Sequence, residues 1–266
     1  MSFRYELPPE VVVESDGSVR IVRLNRPDEL NATNHVLHRG IADVFEQLDA
    51  DPEARAVVVT GNGRAFCAGG DFEYLDELAK DPALRRQTID DGRRIVKGMV
   101  GCRHPIVAAV NGPAVGLGCS IVALSDVVFI AESAHLVDPH LLIGLVAADG
   151  AAVTWPLLVS LQLAKEYALT GERIPAARAE EIGLANHVVG DADVLAEALS
   201  CAKRIAALPR QATEDTKRLL NIPLERAVSA ALDFAFAAED RSFVSPEVRA
   251  NLDRFLERRA RSTPAS

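Results

Sequence analysis

The chain has 266 residues, is 48% hydrophobic and carries a formal charge of −9 at pH 7. That is enough apolar material for a full core, as one large domain or a domain with an appended helical piece, and the acidic balance argues against nucleic acid as a partner. The N-terminus lacks an apolar signal core and no apolar run is long and clean enough to span a bilayer, so the expectation is a cytoplasmic protein with no membrane partner. Cys67, Cys102, Cys119 and Cys201 form no CxxC pair and no metal-ligand spacing. They read as buried free thiols of a reducing compartment.

In chain order, Val11–Ser15, the turn signal Asp16-Gly17 and Val19–Asn25 predict a hairpin. Arg26-Pro27-Asp28-Glu29 breaks the second strand. Thr33 or Asn34 caps a helix whose apolar positions Val36, Leu37, Ile41, Val44, Phe45 and Leu48 follow a 3.6-residue period. Ala56–Thr60 is a strand buried on both faces. Gly61-Asn62-Gly63 turns, and a helix starts near Asp71 with its carboxylate at the positive end. Lys80 to Ala83 reads as a loop, and Leu84–Val100 as a long helix with a solvated face of arginines. Ile106–Val110 is a strand, Val115–Leu124 an apolar helix and Val127–Ala131 a further strand. The alternation implies right-handed βαβ units and a mostly parallel sheet.

From Gly150 the pattern is helical: Ala151–Leu158, Leu163–Thr170, a short helix from Pro175 to Gly183, then Asp191–Ala207, Ala212–Leu220, Leu224–Asp240 and Pro246–Arg259. Val188-Val189 allows one short strand. The division is a core over 1–190 and a helical region over 191–266, with Ser262–Ser266 expected to be disordered. Trp155 reads as core or subunit interface. His35 and His38, three apart on a helix with no third ligand in view, read as surface or packing residues.

Three segments carry the chemistry. They are Gly63–Phe72 (GRAFCAGGDF), Pro105–Ser120 (PIVAAVNGPAVGLGCS) and Val137–Gly150 (VDPHLLIGLVAADG). Each runs through glycine into a helix start, where backbone N–H groups lack intrahelical partners and can hold a developing negative charge. The first two motifs together, with Leu24-Asn25-Arg26-Pro27, Thr170-Gly171-Glu172 and the 179–186 segment AEEIGLAN, resemble the crotonase superfamily, the enoyl-CoA hydratase/isomerase family, over nearly the whole chain. The resemblance implies an α/β fold, a crotonase (ClpP/crotonase-like) spiral of ββα units with a C-terminal helical trimerisation region. It implies a homotrimer or dimer of trimers, and a lyase or isomerase acting on an acyl-CoA thioester through an enolate. No cofactor is implied, since coenzyme A is part of the substrate.

By motif position the oxyanion donors are the N–H groups of Gly70 and Leu117. The family usually has glycine at the latter position, so the leucine must adopt an allowed backbone conformation. Ala32, Ala68 and Phe72 fall where the family contacts nucleotide or pantetheine. Arg26 and Arg258 either meet a phosphate or make surface ion pairs. Hydratases of the family use two glutamates, and the matching positions are Ser120 and His140. Serine there reads as structural. His140 reads as a proton carrier or substrate-lining residue, with Asp138 placed to orient it across Pro139. Asp149 either handles a proton, as an aspartate in this region does in naphthoate synthases, or caps the next helix. Ordinary two-glutamate hydration is therefore doubtful. Isomerisation, thioester hydrolysis and carbon–carbon lysis remain open, as does an acyl-CoA-binding protein without turnover.

Overall fold

The computed structural model describes residues 3–262. The hairpin forms as expected: β1 (Val11–Asp16) and β2 (Val19–Leu24) pair antiparallel, Asp16 opposite Val19. Gly17 sits in the turn at φ +60°, a conformation glycine reaches without steric cost. α1 (His35–Ala50) starts where Asn34 accepts from Leu37 N–H, and its buried stripe faces the sheet. β3 (Ala56–Gly61) is buried along its whole length.

The stretch expected as a loop from Lys80 to Ala83 is a single residue wide. α2 (Phe72–Lys80) and α3 (Pro82–Gly101) meet at Asp81, whose carboxylate accepts from Ala83 and Leu84 N–H. Pro82 at the first helical position needs no N–H partner, which lets the new helix begin at once. Arg85, Arg93 and Arg94 of α3 are held in ion pairs, and Arg86 is exposed. Arg94 reaches Asp43, Glu46 and Asp91, while Arg85 is buried against Asp240.

β4 (Ile106–Val110), β5 (Ala114–Val115), α4 (Leu117–Ala123), β6 (Val127–Ala131), β7 (His135–Val137), α5 (His140–Ile143), α6 (Ala151–Leu158), α7 (Leu161–Thr170), β8 (Ile174–Pro175), α8 (Ala176–Ile182) and β9 (His187–Val189) follow. The main sheet has the order β1-β2-β3-β4-β6-β9, parallel except for the first pair, and a smaller sheet has the order β5-β7-β8. α9 (Val194–Ala206) buries Val194, Ala198, Cys201 and Ala202 against the strands.

Two helices were expected between Ala212 and Asp240, and one is present. α10 (Arg210–Phe243) runs through Pro223 without stopping. Proline removes one N–H from the ladder, but the buried stripe of Val228, Leu232, Ala235, Phe236 and Phe243 fixes the C-terminal half by packing. α11 (Pro246–Ser262) closes the described chain, so Ser262 is helical and the rest of the expected disordered segment, 263–266, lies outside the described residues. All four cysteines are buried and free, and Trp155 is 1% exposed in the core.

Candidate active site

Two strand-to-helix junctions are pressed together by glycine and asparagine. Asn111 accepts from Gly61 N–H and donates to the Gly63 carbonyl, tying the end of β4 to the turn after β3. The segment after that turn then runs beside β5: Cys67 N–H donates to Pro113 O and Val115 N–H to Cys67 O. Gly118, in the first turn of α4, makes the approach possible. A Cβ there would lie 2.7 Å from Cys67 Cβ and 2.8 Å from Cys67 O, both inside contact distance.

Each junction bends at a glycine with positive φ, Gly69 at +85° and Gly116 at +52°. The next residues are Gly70 and Leu117, the expected donors, and both line one cavity. Gly70 is bridged to Thr33 through its neighbours, Thr33 N–H to Gly69 O and Asp71 N–H to Thr33 O, so its own N–H faces away from that pairing. Leu117 opens α4, where the N–H has no carbonyl four residues back. Its backbone lies outside the positive-φ region, so leucine is accommodated without strain.

The side-chain chemistry converges on His140, the first residue of α5. Its Nδ1 is hydrogen-bonded to Asp138 Oδ1, and the Asp138 carboxylate also accepts from the His140 backbone N–H at 3.2 Å. Pro139 between them therefore does not prevent the pairing, since a carboxylate can close onto the N–H two residues on. His140 Nε2 lies 3.5 Å from Asp149 Oδ2. Asp149 Oδ1 accepts from Ser120 Oγ at 2.7 Å. The capping reading of Asp149 is thus overturned. The residue flanking α6 is Gly150, at φ +138°, and no side chain caps that helix. Ser120 makes its bond to Asp149 from α4.

Glu239 is the residue sequence reasoning missed. It lies on α10, lines the same cavity and is 8% exposed. Its signal was present: Leu232, Ala235, Phe236, Glu239 and Phe243 fall on one buried stripe, and a carboxylate in such a stripe is rarely buried without a reason.

The group titrates as a unit. Burial disfavours the His140 cation, but Asp138 and Asp149 outweigh it and raise its pKa to about 10. Burial likewise opposes the Asp138 charge, and the imidazolium with its hydrogen bonds brings that pKa below the usual value. Asp149 is raised by burial, with Asp138 adding to the effect and His140 partly offsetting it. Glu239 is raised to about 8 by burial, with repulsion from Asp149 and Asp138 on top. Near neutral pH the site pairs an imidazolium with the Asp138 carboxylate, beside a protonated Glu239 and an Asp149 whose hold on a proton is strengthened by burial.

The cavity has a volume of about 230 Å³ and mostly apolar walls, including Leu75, Leu78, Ile89 and Phe236. Ala68 and Phe72 line it, and Phe72 stacks on Phe255 of α11 at 4.5 Å between ring centroids. Ala32 sits apart from the lining. Its carbonyl accepts from Arg26, whose guanidinium also lies 3.6 Å from Asp71. Arg26 thus makes one of its two expected contacts, an ion pair, with Asp71. Asn31 shapes this loop, accepting from Arg26 N–H and donating to the Asn62 and Ala65 carbonyls. Arg258 falls within α11, and its side chain lies outside the described part of the structure. Among the described residues, no group of three or more His, Cys, Asp or Glu side chains is arranged to hold a metal ion.

A family model described as enoyl-CoA hydratase/isomerase matches residues 14–262. The crystal structure of an enoyl-CoA hydratase/isomerase from Mycobacterium paratuberculosis is 61% identical, superposes with a TM-score of 0.92, and covers 94% of this chain and 100% of that one. A protein named probable enoyl-CoA hydratase from Rhizobium meliloti (strain 1021) is 31% identical over 238 residues, 87% of this chain and 91% of that protein. The structure of a β-diketone hydrolase from the cyanobacterium Anabaena sp. PCC 7120, bound to (S)-3-oxocyclohexyl acetic acid, is 25% identical with a TM-score of 0.82, over 88% of this chain and 94% of that one. The spiral of strands and helices has the crotonase fold, and with the family model spanning most of its length, the chain belongs to the enoyl-CoA hydratase/isomerase family.

Proposed function

We propose that the protein is an acyl-CoA enzyme that works through an enolate. The thioester carbonyl is polarised by Gly70 and Leu117 N–H, and the proton moves within the His140–Asp149 pair. The observation that carries this reading is the single cavity into which both backbone donors, His140, Asp149 and Glu239 open. Two such donors in a water-poor site are worth roughly 3 kcal/mol each to an oxyanion. His140, cationic in the resting site, is the acid. Asp149, a carboxylate made more basic by burial, receives the α-proton. Asp138 holds the imidazole by Nδ1 and keeps it charged. Ser120 holds Asp149. With these groups in place of two glutamates, the reaction differs from two-glutamate hydration. The exposed Leu219, Leu220 and Phe234 of α10 support assembly with further copies of the chain, which we take to be a homotrimer or a dimer of trimers.

The test is α-proton exchange in D₂O with a panel of saturated and 2-enoyl CoA thioesters, read by mass spectrometry. Deuterium uptake should vanish in Gly70→Pro and fall at least about 100-fold in His140→Ala. Undiminished uptake in both variants would sink the assignment.

A second reading is hydrolytic cleavage of a carbon–carbon bond between two carbonyl groups, favoured by the likeness to the β-diketone hydrolase. Asp149 would take a proton from water and the resulting hydroxide would add to one carbonyl carbon. The bond to the carbon between the carbonyls would break, leaving an enolate on the oxyanion donors, and that carbon would take a proton from His140. Incubation with cyclohexane-1,3-dione in ¹⁸O-water separates the readings: one ¹⁸O in a ring-opened acid supports cleavage, and recovery of unchanged diketone excludes it for this substrate.

A further inference from the structure

The cavity has a second polar region, built from three helices that contribute nothing to the His140 cluster. His38 comes from α1, Tyr74 from α2 and Thr88 from α3, and all three line the cavity among Leu78 and Ile89. His38 is 8% exposed. Its Nδ1 is fully shielded and has no hydrogen-bond partner, which leaves Nε2 as the accessible polar atom of the ring. Burial, with the neighbouring His35, depresses its pKa to about 4, so the ring is neutral and carries one N–H.

The tautomer follows from the cost of unpaired groups. A proton on Nδ1 would be a buried donor with no acceptor. A proton on Nε2 leaves only an unused lone pair at Nδ1 and turns a donor to the cavity. The tyrosine has the opposite character. Thr88 Oγ donates to the Leu84 carbonyl at 3.0 Å, so at 2.5 Å from the phenol it accepts the Tyr74 proton. The Tyr74 oxygen keeps its own lone pairs. A saturated hydrocarbon chain laid here would strip water from the His38 N–H and return nothing.

We propose that this region is a polar subsite for the non-reacting part of the substrate, in which His38 Nε2–H donates to a carbonyl oxygen, so that the enzyme prefers oxo-substituted acyl groups to plain hydrocarbon chains. The assignment rests on the cavity being the acyl-group site of the proposed reaction. It deepens that reading by naming the class of acyl group. Sites built to hydrogen-bond a substrate group reject the analogue that lacks it far more strongly than apolar pockets reject a missing methylene.

The experiment compares binding of hexanoyl-CoA with that of 4-oxo- and 5-oxohexanoyl-CoA by titration calorimetry. The S-(N-acetylcysteamine) thioesters of the same three acyl groups are measured alongside. Wild type, His38→Leu and His38→Gln are used, the glutamine keeping an N–H donor in case the leucine variant folds poorly. The expected result is at least about tenfold tighter binding of one oxo ester over the plain one, loss of that preference in His38→Leu and its partial retention in His38→Gln. Equal binding of oxo and plain esters, or a preference that survives in both variants, overturns the subsite. An oxo preference in the small thioesters, with no gain from adding coenzyme A, supports the subsite and defeats the acyl-CoA reading instead. Failure of all six esters to bind defeats both.

Discussion

Glu239 gives the sharpest test of the site's electrostatics, because its protonation separates the folded from the unfolded chain. The carboxyl is raised from 4.5 to about 8 on folding. A raised carboxyl pKa means that the folded protein holds the proton more tightly. Stability from this group is therefore complete below pH 4.5 and lost as the pH climbs through about 8. The displacement of about 3.5 pH units, at 1.36 kcal/mol each, sets a ceiling of about 5 kcal/mol on the loss. Glu239→Gln cannot ionise and escapes it. His140 changes too, its raised pKa giving stability that fades between about 6.5 and 10, but to first order that fading is common to both proteins and cancels in the difference. The stability of Glu239→Gln relative to wild type should therefore rise between pH 5 and pH 9, by up to about 5 kcal/mol. At about 2–4 °C per kcal/mol for a chain of this size, the gap in Tm should widen by up to about 10–20 °C. Thermal melts followed by circular dichroism at five pH values measure it. A gap that stays constant from pH 5 to pH 9 would show that Glu239 ionises like an exposed glutamate, and the description of a buried neutral acid would fall.

Gly118→Ala places a methyl inside contact distance of Cys67, and the overpacking should cost about 1–3 kcal/mol in urea denaturation while separating the two backbone donors enough to lower turnover. Asp138→Asn removes the carboxylate at His140 Nδ1, so the imidazole pKa should fall from about 10 by about one to three pH units, read from its Cε1–H resonance in an NMR titration; an unmoved pKa would assign the shift to Asp149 alone. Asp81→Ala strips the only residue between α2 and α3 of its capping carboxylate and should lower the melting temperature without changing substrate binding, as melts and calorimetry would show.

How much of this could be read beforehand depends on how local each cause is. The hairpin, the buried strands and the start of α1 follow from turn residues and periodicity within a few positions, and they are as expected. Gly70 and Leu117 were placed as candidate donors by motif position alone, and each directly follows a glycine at positive φ. The acid–base set was only half legible. Asp138, His140 and Asp149 lie within twelve residues, yet whether Asp149 capped a helix or faced His140 turned on the angle at Gly150. Glu239 stands ninety residues further on, and only the packing of α10 brings it in. His38 was set aside because its value depends on α2 and α3 closing over it. The break expected between Leu220 and Leu224 is absent for the converse reason, since tertiary packing of the following turns carries α10 through Pro223.

The division between backbone and side chains explains why such a site tolerates unusual residues. The two N–H donors are fixed by the close passage of Cys67 and Gly118, and neither depends on a side chain, so leucine can stand at 117. The charged groups come from the loop before α5, α5 itself, the loop before α6 and α10. What constrains them is net charge. One imidazolium among three buried carboxyl groups would leave two uncompensated negative charges in a medium of low dielectric, so Asp149 and Glu239 each hold a proton more tightly than an exposed carboxyl group does. An oxyanion forming beside Gly70 and Leu117 adds one more negative charge to this balance. It tightens the hold of the neighbouring acids on their protons until the electron pair reaches the substrate carbon, whose protonation then discharges the site. In the proposed reaction, the same crowding of carboxyl groups that keeps His140 charged at rest makes delivery of its proton favourable only once that carbon is ready to receive it.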